Sequence, residues 1–110
     1  MTDTASAFDT VFDKEGFLRN LDDWSPCVAA EVAMQESIVL SDAHWEIISL
    51  QRDYYEKYKI APVTRVLINL VKDGLGAEKG NSIYLMTLFT GKPAKISAKI
   101  AGLPKPTNCD

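Results

Sequence analysis

The sequence predicts an α+β domain that is mostly helical. A small N-terminal β-hairpin or meander packs on about five short helices, and a flexible C-terminal arm follows. Three observations predict this. Two short apolar runs, Val11-Phe12 and Phe17-Leu18, bracket the polar turn Asp13-Lys14-Glu15-Gly16, a hairpin signal. From Ser25 onward apolar residues recur at helical spacing between Ser, Asn, Pro and Gly punctuation. The last eight residues, Leu103-Pro104-Lys105-Pro106-Thr107-Asn108-Cys109-Asp110, hold two prolines and no aliphatic or aromatic residue after Leu103. Each Pro lacks a donor N–H and restricts the residue before it to extended geometry, so this stretch cannot fold back as a helix. The expected organisation is a helical domain with its hairpin over 1–102 and an arm over 103–110.

The first helix opens at Ser25-Pro26, with Ser as N-cap and Pro at the first helical position, and turns Val28, Ala29, Val32 and Ala33 inward. Trp24, just before it, is placed to anchor the hairpin on the helices. Ser41 caps a second helix running to about Tyr58, with Asp42 and Glu46 near the positive end of its dipole. Ile47, Leu50, Tyr54 and Tyr58 form its stripe, widened by Trp45, Ile48 and Tyr55, and this helix is expected at the centre of the core. Pro62 separates it from a third helix, where Val63, Val66, Leu67, Leu70 and Val71 repeat through about Leu75. Gly74, Gly76 and Gly80 mark the next loop, Asn81-Ser82 caps a fourth helix, and Gly91 ends it. Pro93 starts a fifth helix with Ile96 and Ile100 inward, which Gly102 ends before the arm.

Composition narrows the function. A chain of 110 residues that is 46% hydrophobic is long enough for one domain with its own core. Its net charge is −3 and it has no run of Lys or Arg, which argues against a nucleic-acid module or an anionic-membrane binder. No apolar stretch approaches the ~20 residues of a transmembrane helix. The polar start, with Asp3 and no basic segment, does not read as a signal peptide, so the expected location is cytoplasmic. Cys27 and Cys109 are then reduced thiols by default. A zinc site from Cys27, Cys109, His44 and a carboxylate lacks any C-x-x-C or H-x-x-x-H spacing, and no metal or organic cofactor is indicated.

A thiol on an extended arm suits sulfur carriage. Its thiolate attacks a donor's persulfide, takes the outer sulfur and offers it to an acceptor, by the logic of thiol–disulfide exchange. Eight residues at ~3.1 Å each give a reach of roughly 25 Å. The neighbouring Asp110 side chain and the terminal carboxylate disfavour the Cys109 thiolate, so activation is expected inside a partner's basic pocket. The bland alternative is a terminal Cys of no consequence on a frayed end.

At these residues the chain resembles the DsrC/TusE family of sulfur-carrier proteins. The resemblance is carried by Asp13-Lys14-Glu15-Gly16-Phe17-Leu18, Asp23-Trp24, His44-Trp45-Glu46-Ile47-Ile48, Arg52-Asp53-Tyr54-Tyr55, Pro62 and Arg65. It continues through Glu78-Lys79-Gly80, Tyr84-Leu85, Leu88-Phe89 and, above all, Ala101 to Cys109. It implies a hairpin or meander on about five helices with a mobile arm, and Cys109 as the persulfide site. Members serving dissimilatory sulfur metabolism carry a second cysteine in the last helix, at about Ala98 here, which closes a disulfide with the arm. Ala98 and the lack of an insertion between Tyr58 and Arg65 favour the TusE-like branch. That branch relays sulfur from a TusBCD-like donor complex to a tRNA 2-thiouridylase for wobble 2-thiouridine, so tRNA is involved only indirectly. Such a chain is a sulfurtransferase component acting with partner enzymes. Asn108 stands where the family commonly has Gly, and Asp110 where an apolar residue is common.

Other residues weigh less. Cys27 at the start of the first helix is a candidate resolving thiol, with a structural reading beside Val28 and Ala29. His44, Tyr54 and Arg65 are candidate contacts for a partner or the arm. Arg65 and Lys105 are placed to guide an anionic persulfide, and lone basic residues are also commonly just solvated. Two other functions remain open: a DsrC-like partner of sulfite reductase or other sulfur metabolism, and a helix-turn-helix regulator built from the second and third helices. Against the regulator, Arg52, Lys57, Lys59 and Arg65 are interleaved with Glu46, Asp53 and Glu56.

Overall fold

The structure is a computed structural model that describes residues 11–106. Five α-helices are present among them: α1 (Pro26–Gln35), α2 (Asp42–Tyr58), α3 (Thr64–Leu75), α4 (Ser82–Phe89) and α5 (Pro93–Ile100). A 3₁₀ turn, Leu21–Asp23, precedes α1. The mostly helical architecture is as expected. The hairpin is reduced to a single antiparallel bridge, Phe12 to Leu18, with no strand among the described residues. The reason is local. The Asp13 carboxylate accepts the N–H groups of Glu15 and Phe17, each at 2.9 Å, and rounds the chain into a tight turn at Gly16, φ 91°. Phe17 and Leu18 are both buried, so the turn packs into the core on both of its faces.

Local chemistry sets the helix boundaries. Ser25 Oγ accepts the Val28 N–H at 3.3 Å and Pro26 takes the first position of α1. At the other end of α1, Ser37 takes a left-handed φ of 63°, and the Ile38 N–H bonds Ala33 O at 2.8 Å. In α2 the His44 side chain closes a capping box. Its Nδ1 accepts the Ser41 N–H at 3.0 Å and lies 2.8 Å from Ser41 Oγ. Asn81 caps α4 by accepting the Tyr84 N–H at 2.9 Å. The left-handed residue after α4 is Thr90, φ 69°, and not Gly91.

The core differs from the periodicity in two ways. The buried face of α2 is His44, Ile47, Ile48 and Gln51, while Leu50 and Tyr54 are half-buried and Tyr58 is exposed. The centre of the bundle is also not α2. It is the eight-residue α5, which packs against α1, α2, α3 and α4. Its inner face is Ala94, Ser97, Ala98 and Ile100, and small side chains let four neighbours approach closely.

Gln51 is fully buried, and its Oε1 and Nε2 have no hydrogen-bond partner. Stripping water from an amide without replacement costs about 1–3 kcal/mol. Gln51→Met, which keeps the length and removes the polar atoms, is expected to raise the urea midpoint by an amount corresponding to about 1 kcal/mol. A lowered midpoint would show that the amide is hydrogen-bonded in solution.

Candidate functional site at the root of the arm

The carrier thiol proposed from the sequence, Cys109, lies outside the described residues, as do Thr107, Asn108 and Asp110. What the structure describes is how the chain is delivered to that point. α5 ends in a Schellman motif: the Gly102 N–H bonds Lys99 O at 3.2 Å, the Leu103 N–H bonds Ala98 O at 2.9 Å, and Gly102 has φ 75°. Only a residue without a Cβ adopts that conformation cheaply.

Two further carbonyls at this helix end are satisfied from elsewhere in the chain. Trp24 Nε1 donates to Ile100 O at 2.9 Å, and Arg52 donates to Ala101 O. The Arg52 guanidinium also lies 3.8 Å from the Trp24 ring centroid, a cation–π stack. Partial burial pushes the Arg52 pKa below its usual range, and Glu56 acts in the opposite sense. The indole covers Gly102 so closely that an added Cβ would lie 2.2 Å from Trp24 Cδ1. Trp24 therefore anchors the start of the arm, where the sequence placed it against the hairpin.

The next residues are held too. Leu103 is 2% exposed and belongs to the core; burying such a side chain contributes about 1.5–3 kcal/mol. Pro104 and Lys105 are exposed and Pro106 is buried. Lys105 Nζ lies 3.2 Å from Glu15 Oε1, and Lys95 Nζ lies 3.7 Å from the same oxygen. The arm thus crosses the 12–18 turn beside α5. A polar cleft of ≈ 330 Å³ opens beside Leu103, lined among others by Asp22, Arg52, Asp53, Tyr55 and Lys59.

The other sequence candidates lie apart from this root. Both ring nitrogens of His44 are engaged: Nδ1 by Ser41, and Nε2, which donates to Leu88 O at 2.9 Å. That assigns the Nε2–H tautomer and a helix-linking role. Tyr54 packs on Tyr58 with ring centroids 4.6 Å apart, facing α3. Arg65 is exposed in the first turn of α3, and Cys27 is exposed in the first turn of α1. No three His, Cys, Asp or Glu side chains converge as metal ligands among the described residues. Nor is any helix there long and apolar enough to cross a membrane. The residues that reading the sequence missed are Arg52 and Glu15. Both stood within the resembling stretches, but contacts 49 residues apart for Arg52 and Ala101 leave no local signature.

Comparison with known proteins agrees with this geometry. The DsrC-like protein family matches residues 6–109. The chain is 47% identical to the sulfurtransferase TusE of Sodalis glossinidius, covering 88% of this chain and 90% of that one. It is 47% identical to a TusE homolog of Haemophilus influenzae, covering 88% and 89%. Among solved structures, DsrC of Allochromatium vinosum superposes with a TM-score of 0.82 at 52% identity, over 90% of this chain and 88% of that one. The oxidised γ-subunit of the dissimilatory sulfite reductase (DsrC) from Archaeoglobus fulgidus gives 0.74 at 36% identity, over 90% of each chain. With its helical body, its closed arm root and a family match that runs through residue 109, this chain belongs to the DsrC-like protein family.

Proposed function

We propose that this protein is a sulfur-relay carrier. It accepts a persulfide sulfur on Cys109 from a TusBCD-like donor complex and passes it to a tRNA 2-thiouridylase. The observation that carries the reading is the family match through residue 109 together with the TusE relatives. The Cys109 thiolate attacks the outer sulfur of the donor's R–S–SH. The S–S bond breaks, its electron pair stays on the donor as R–S⁻, and Cys109 becomes Cys–S–SH. Atoms and electrons balance with no external oxidant. Delivery repeats the exchange toward the acceptor.

Incubation with a cysteine desulfurase and its relay, followed by intact mass spectrometry, tests this. A gain of one sulfur is expected in wild type and in Cys27→Ser, and complete loss of that gain in Cys109→Ser. No gain with any donor would defeat the carrier role.

A second reading, a partner protein of sulfite reductase, draws on the 52% identity to DsrC of Allochromatium vinosum. Two-thiol arm chemistry is disfavoured by Ala98, a fully buried methyl group where the resemblance puts a second thiol. Transfer of labelled sulfur to a tRNA 2-thiouridylase, against capture by a sulfite reductase, separates the two. A DNA-binding role would require a duplex gel shift that weakens as salt rises. The α2–α3 pair, with Asp53 and Asp73 beside Lys57 and Lys72, offers no basic face for it.

A further inference from the structure

Lysines and carboxylates are unevenly distributed in this chain. From Lys79 to Cys109 there are five lysines and no Asp or Glu, while residues 1–78 hold fourteen of the fifteen acidic side chains. Lys92, Lys95 and Lys99 lie on or beside α5, and Lys105 lies on the arm. Three of the four are met by carboxylates from earlier in the chain. Lys99 is 2.9 Å from Glu36 Oε2 and is nearly enclosed, its side chain 10% exposed. Lys95 and Lys105 share one oxygen of Glu15. One carboxylate for two ammonium groups leaves that cluster with a net positive charge. Lys105 and Glu15 are also about half exposed, so solvent and a second protein can reach them.

We infer that Lys92, Lys95 and Lys105 form the docking face for an acidic protein surface, and that docking transfers Lys105 from Glu15 to a partner carboxylate, freeing the arm. The inference rests on the carrier reading and adds the chemistry of the partner's rim. Glu15 is the internal stand-in for that partner. While it holds Lys105 and Pro106 stays buried, only the residues after Pro106 lie beyond the docked segment. At ~3.1 Å per residue, Cys109 then reaches roughly 10 Å, against roughly 25 Å for the whole arm. Exposed ion pairs are weak, so the latch is easily exchanged: loss of one shifts the docked-to-free ratio by only about two- to fivefold. The site favours carboxylate over nucleic-acid phosphate. Its cations are single lysines without an arginine fork or an exposed aromatic platform, and the chain's net charge is −3.

The test uses the full chain as Cys27→Ser, with a bimane label on Cys109 and its anisotropy as readout. Glu15→Gln is expected to increase label mobility without moving the melting midpoint. The charge swap Glu15→Lys with Lys105→Glu is expected to restore the immobile label, because the carboxylate then carried by the arm would again meet two ammonium groups. A decaglutamate peptide is the probe for the partner. It is expected to mobilise the label in the parent, with a response weakened about fivefold or more in Lys92→Gln/Lys95→Gln, which leaves the Lys105–Glu15 pair in place, and unchanged in Lys57→Gln/Lys72→Gln. Equal loss in the control pair, or no change of mobility in Glu15→Gln, overturns the inference. So does an RNA hairpin that releases the arm better than the peptide. Sulfur loading of unlabelled Cys109, followed by mass, reports separately on the carrier reading: loading with no peptide effect removes only the docking face.

Discussion

Gly102→Ala is expected to destabilise the fold by about 2–5 kcal/mol, lowering the melting midpoint by on the order of 10 °C. Two terms add. A residue with a Cβ at φ 75° costs about 1–2 kcal/mol, and forcing a methyl into packed space costs about 1–3 kcal/mol. The second term is set by one neighbour, since the new Cβ would lie 2.2 Å from Trp24 Cδ1 and 2.6 Å from Cγ. Trp24 cannot step aside without releasing Ile100 O and Arg52. Urea denaturation of the variant measures the sum. A cost below about 0.5 kcal/mol would mean that the Schellman turn is not formed in solution.

Trp24→Ala is expected to cost a similar amount, about 2–4 kcal/mol, because a large half-buried ring and a hydrogen bond are lost together. Trp24→Phe keeps most of the cover and loses the donor, so about 1–2 kcal/mol is expected. The two sites are coupled. With the indole removed, the methyl of Gly102→Ala has space and only its backbone cost remains. The double variant should therefore be more stable than the sum of the two single costs predicts, by about 1–3 kcal/mol. Strict additivity in that cycle would show that the ring does not cover Gly102. The Ser41–His44 capping box is remote from this root, and Ser41→Ala should cost about 1 kcal/mol and add independently to Gly102→Ala.

Much of the helical body was legible in the sequence alone. Ser25-Pro26, Ser41, Asn81 and Pro93 marked helix starts, and the helices begin there. Caps act over three or four residues, so a linear reading finds them. The same reasoning overestimated the hairpin. Two apolar pairs flank a turn there, but the Asp13 side chain takes the Phe17 N–H, and the pairing stops at one bridge with the Asp13 N–H on Phe17 O and the Arg19 N–H on Val11 O. It also misjudged the centre of the core. α2 has the longest apolar stripe, yet α5 touches more of the bundle with Ala94, Ser97 and Ala98, residues too small to register as a hydrophobic signal.

The candidate site divides in the same way. Local sequence is enough to show that residues 103–110 form a proline-spaced segment with one thiol, and that Gly102 is the glycine that stops α5. These follow from the missing N–H of Pro and the missing Cβ of Gly, properties of single residues. It takes the packed fold to put Leu103 in the core, to bury Pro106 and to rest Lys105 on Glu15. It alone brought Trp24 and Arg52 to the carbonyls of Ile100 and Ala101. The reason is physical: these contacts join residues 49 to 90 positions apart, and what fixes them is the packing of the bundle around α5, a property of the assembled core.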